Sequence, residues 1–126
     1  MDVQKQIDYW SSGAQEDLGA ARSLLERQHF RHALFFAELA VEKMLKAHVV
    51  SQTCTIAPRT HDLLRLAELA GVPLSEERRQ FLARVQGYCL EGRYPEHRPP
   101  MPSREERELA FRQCQETVSW LTTLFN

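Results

Sequence analysis

The segment from Tyr88 to Arg98, YCLEGRYPEHR, gathers two tyrosines, two arginines, a histidine and two acids in one short stretch. The planar guanidinium groups of Arg93 and Arg98 can pair with phosphate oxygens. Tyr88 or Tyr94 can stack on a base, and His97 can transfer a proton near neutral pH. These are the groups that a nucleotide or RNA site requires. The same residues also suit a structural role, with both tyrosines packing a loop against the fold and Arg93 capping helical carbonyls.

A second set lies in AELAVEKMLKA, residues 37–47, where Glu38, Glu42 and Lys46 recur every four residues with Lys43 beside them. The plainer expectation is a solvated charged stripe with a weak Glu42 to Lys46 ion pair. The competing reading starts from a conflict: the surrounding helix is the most apolar in the chain, so charges on it should face an interface or a cleft. His61, just after Thr60, is expected to bond a neighbouring loop, and it joins Glu42, Lys43 and Lys46 as a candidate.

Other chemistries find no support. There is no phosphate-cradling glycine loop, no HExxH, no GxSxG and no repeated ExxH pair. His29 and His32 are three apart but have no further ligands at a recognisable spacing, so neither a metal nor any other cofactor is expected. Cys54, Cys89 and Cys114 are odd in number and widely spaced, which suits a reducing compartment better than a disulfide framework. With 16 basic against 17 acidic residues and a net charge of -1, no overall field draws the chain to nucleic acid or to an acidic membrane; such binding must come from a local patch. No apolar run approaches the ~18 residues of a membrane span, and the N-terminus lacks the apolar stretch of a signal peptide. A cytoplasmic protein is expected.

At 126 residues and 43% hydrophobic, the chain is long enough for one domain, 1–126, with its own core. Four of its six prolines fall between positions 95 and 102, so the long stretches elsewhere are free to be helical. Ile7, Trp10, Ala14, Leu18, Ala21 and Leu25 mark an amphipathic first helix. From Arg31 to Ser51, an alanine stripe (Ala33, Ala37, Ala40, Ala47, with Met44) runs beside Leu34, Val41, Leu45 and His48, predicting the central, most buried helix. A third helix is expected from a Thr60 cap to Gly71, and a fourth from Ser75 to about Gly92. A fifth opens on the capping box Ser103-Arg-Glu-Glu106. The expected fold is all-α, an up-and-down bundle of four to five helices with a proline-rich loop at about 92–102.

The order of AELAVEKMLKA, Thr60-His61-Asp62-Leu63, Tyr88 and Arg93-Tyr94-Pro95 over nearly the whole chain resembles the HEPN family. The resemblance implies a bundle of about five helices that commonly dimerises and is often paired with a minimal nucleotidyltransferase. It also implies nucleotide binding or, in many branches, metal-independent ribonuclease activity as a toxin. Those branches share an Arg-x(4 to 6)-His motif. Here Arg93 and His97 have three residues between them, one of them Pro95, while Arg27-x4-His32 and Arg22-x6-His29 match the spacing at the junction of the first two helices, where the family motif does not sit. The expectation is therefore a nucleotide- or RNA-binding accessory module working with a nucleotidyltransferase partner. Its ligand would be held by Glu42, Lys43, Lys46, His61, Tyr88, Arg93, Tyr94 and Arg98. The alternatives are an endoribonuclease toxin acting through Arg93 and His97, and a dimeric scaffold with no small-molecule ligand. Eleven aromatic residues in a small bundle, with Phe35 and Phe36 adjacent, point to a homodimer in which one of the two lines the interface.

Overall fold

In the computed structural model, residues 1–91 and 103–125 are described, those from 88 to 91 as backbone alone. Five helices make up the fold: α1 (Val3–Glu26), α2 (Phe30–Thr53), α3 (Leu63–Ala70), α4 (Glu76–Glu91) and α5 (Arg104–Thr123). No strand occurs among the described residues. This is the expected all-helical bundle.

Local chemistry sets the helix ends. Asp2 caps α1 by accepting from Lys5 N at 3.0 Å, and the chain then reverses through Gln28, whose φ of +66° is left-handed. Ser103 caps α5 by accepting from Glu106 N at 3.1 Å, as its sequence predicts. Gly71, at φ +67°, closes α3 where an L side chain would be strained, and Val72 N donates back to Ala67 O. The start of α3 differs from expectation. The cap is Asp62, which accepts from Arg65 N at 3.2 Å, and the Thr60 hydroxyl instead accepts from Asp62 N at 3.2 Å. Thr60 and His61 thus stay outside the helix, leaving His61 able to reach sideways.

α2 is the axis of the bundle. Its alanines at 33, 37, 40 and 47 are fully buried, letting neighbouring backbones approach closely. α1 lies antiparallel against it, with Ser11 near Met44 and Gly13 so close to Lys43 that a Cβ there would meet the Lys43 Cδ at 3.2 Å. α5 runs the same way as α2: the Arg104 guanidinium lies 4.7 Å from the Phe30 ring, and His48 meets Leu121 one helix length on. The 54–62 connection turns back along α2, so α3 starts beside Glu42 and ends with Gly71 near Gln52, also in the sense of α2. α4 returns antiparallel to α3, and Gln86 Oε1 accepts from Leu63 N at 2.6 Å. Leu18, Met44, Leu45, Leu63, Leu66, Leu82 and Leu121 fill the space between. Each such leucine or methionine contributes about 2 kcal/mol of burial.

Candidate functional site

Three charged residues of α2 lie inside the bundle. Glu38, Glu42 and Lys46 are buried, with 6%, 3% and 6% of their surface exposed, which corrects the expectation of a solvated stripe. The cause is packing on both flanks: α1 covers one side of α2, and the 54–62 connection, with α3, covers the other. The Glu42–Lys46 ion pair does form, at 3.2 Å between Oε2 and Nζ. In the interior it is no marginal surface contact, because losing either partner strands a buried charge.

Glu42 divides its two oxygens. Oε2 faces Lys46, while Oε1 lies 3.0 Å from His61 Nδ1. A carboxylate accepts only, so the imidazole donates Nδ1–H to it. His61 itself is 59% exposed in its side chain, which sets a surface imidazole on a buried anion. From α1, Trp10 offers its ring face to Lys46 Nζ at 5.2 Å, a cation–π contact in a partly desolvated place. The Trp10 indole N–H is buried with no acceptor among the described residues. Lys43 turns the other way and reaches Asp17 Oδ2 at 2.8 Å, a charge contact rather than an aligned hydrogen bond.

Three of the candidate residues, Glu42, Lys46 and His61, thus belong to one polar seam between α1, α2 and the start of α3. Lys43 is not brought to it and pairs with Asp17 of α1 instead. The side chain of Tyr88 and all of Arg93, Tyr94, His97 and Arg98 lie outside the described residues. Sequence reading missed Asp17 and did not place Trp10 beside Lys46. The signal was present, since positions 10, 14, 17 and 21 share one face of α1 and two of them are buried alanines.

His48 stands apart from this seam, near the end of α2. Its Nε2 donates to Leu121 O at 2.7 Å, and its ring stacks on Phe125 at 3.8 Å and 10°. Burial lowers the pKa of His48, outweighing the carbonyl hydrogen bond that favours the protonated form. It is a clamp for the C-terminal helix. His29 and His32 are exposed and meet edge-on, and no cluster of metal-ligating side chains occurs among the described residues. Cys114 is buried and Cys54 exposed. No described helix is long and apolar enough to cross a membrane.

Comparison with curated proteins and with solved structures yields no match. The HEPN domain family model, in contrast, matches residues 7–124, from the first helix to the end of the last. A match over nearly the full chain, on a five-helix all-α bundle, places this protein in the HEPN domain family of helical modules associated with nucleotides and RNA.

Proposed function

We propose that the chain is a nucleotide- or RNA-binding accessory module, a homodimer that works with a nucleotidyltransferase partner in the cytoplasm. The observation that carries the binding part is the seam at Glu42, Lys46 and His61. Buried charges maintained at a cost in desolvation, opening to solvent at one oriented imidazole, are unusual for a purely structural interior. Support also comes from chain direction. α3 and α4 are antiparallel, with Leu63 bonded to Gln86, so the last turn of α4 is level with the connection that carries His61. Residues Arg93 to Arg98 follow that turn directly in sequence, and their guanidinium groups supply the phosphate contacts in this reading.

Equilibrium binding of a single-stranded RNA oligomer and of ATP tests it. Arg93→Ala should weaken binding about tenfold, roughly 1.4 kcal/mol, with the helical content unchanged. Unchanged affinity in the folded variant removes the segment from the site. Cleavage of the RNA in the presence of chelator, lost in His97→Ala, would instead select the ribonuclease reading. Sedimentation at micromolar concentration tests the dimer, and a monomer alone would refute it.

A further inference from the structure

His61 differs from the other described histidines in what stands behind it. Its Nδ1–H is held by Glu42 Oε1 at 3.0 Å, which fixes the tautomer and leaves the lone pair on Nε2. Glu42 cannot swing away, since it is buried and its second oxygen is engaged by Lys46 at 3.2 Å. His48 has the reverse arrangement, its Nε2 used on a carbonyl and its ring covered by Phe125. His29 and His32 are exposed, and neither forms an ion pair among the described residues.

An imidazole oriented and backed in this way is an activated nitrogen nucleophile. Its location decides what it can act on. With 59% of its side chain in water, His61 cannot shield a bound substrate from solvent. The cleft of about 530 Å³ between α3 and α4 is lined by Asp62, Arg65 and Arg79 but not by His61. An exposed, oriented nucleophile of this kind is accessible to the active site of another molecule.

We propose that His61 is a phosphoryl-acceptor site, modified at Nε2 by a phosphoanhydride or phosphoramidate donor. The Nε2 lone pair forms the bond to phosphorus as the bond from phosphorus to the leaving group breaks. The leaving group departs with the electron pair and takes a proton from water. The ring becomes cationic, its charge held by the Glu42 carboxylate through the retained Nδ1–H. The product is Nε2-phosphohistidine. Its added negative charge would oppose an anionic ligand at the seam; this consequence, unlike the modification, rests on the binding function proposed above.

Full-length protein incubated with potassium phosphoramidate at neutral pH, followed by peptide mass mapping in alkali and phosphorus NMR, tests the assignment. His61 should gain one phosphoryl group at least about tenfold faster than His29 or His32 in the same molecules, because only His61 has an orienting carboxylate. Glu42→Gln should bring the His61 rate down to theirs, and His61→Gln should abolish that label. Equal labelling of the three histidines in the wild-type chain overturns the proposal without recourse to a variant. An undiminished His61 rate in Glu42→Gln, shown by circular dichroism to be folded, overturns the role of Glu42.

Discussion

The middle and the end of α2 each carry a histidine contact, and the two are built in opposite ways. At Glu42 a buried anion reaches out to an exposed imidazole and is balanced by a buried lysine. At His48 a buried, neutral imidazole donates to a carbonyl and stacks on Phe125. The partner and the degree of burial decide the role, not the residue type. A carboxylate leaves the far nitrogen of His61 free for a ligand or an electrophile. A carbonyl and an aromatic ring use up His48 for cohesion, tying α5 to α2.

Removing a charge should therefore cost more than removing the clamp. Glu42→Ala leaves Lys46 without its anion in the interior and should destabilise the fold by about 3–5 kcal/mol in urea denaturation. A loss under 1 kcal/mol would mean that Lys46 escapes to water and that the seam is not an interior network. His48→Ala should cost about 2 kcal/mol. The loss is mainly of ring contact, because the Leu121 carbonyl also accepts from Leu124 N at 3.1 Å.

The His48 clamp also ties stability to pH. Since the folded-state pKa of His48 is lowered, the unfolded chain binds the extra proton first. Stability from this residue is present above the ordinary imidazole range, about pH 6.5, and is lost as pH falls below it. Urea midpoints measured across that range should fall with acidification in the wild type, and the His48→Gln variant should show a shallower decline. An identical decline in both would assign the acid sensitivity elsewhere.

The smallest effect concerns the piece that delivers His61 to Glu42. Asp62→Ala removes the α3 cap and should cost about 1 kcal/mol, whereas Thr60→Ala should cost less than about 0.5 kcal/mol. The reverse order in thermal denaturation would restore Thr60 as the cap and place His61 within the helix.

The all-helical class, the burial of α2, the cap at Ser103 and the end of α3 at Gly71 are legible in the amino-acid sequence, whereas the number of helices is open there between four and five. The legible features are local: a period of three to four residues, a hydroxyl before free amides, a glycine where φ must be positive. The sequence also supplied the candidates Glu42, Lys46 and His61, and through them the family. Their meeting was not legible. His61 and Glu42 are nineteen residues apart, and nothing in the 54–62 connection specifies that it turns back along α2 rather than away from it. The spacing of Glu38, Glu42 and Lys46 describes an exposed stripe and a buried one equally well. Tertiary packing made the choice: α1 and the returning connection closed over both flanks of α2, and burial turned Glu42 and Lys46 into an interior ion pair that reaches the surface at His61.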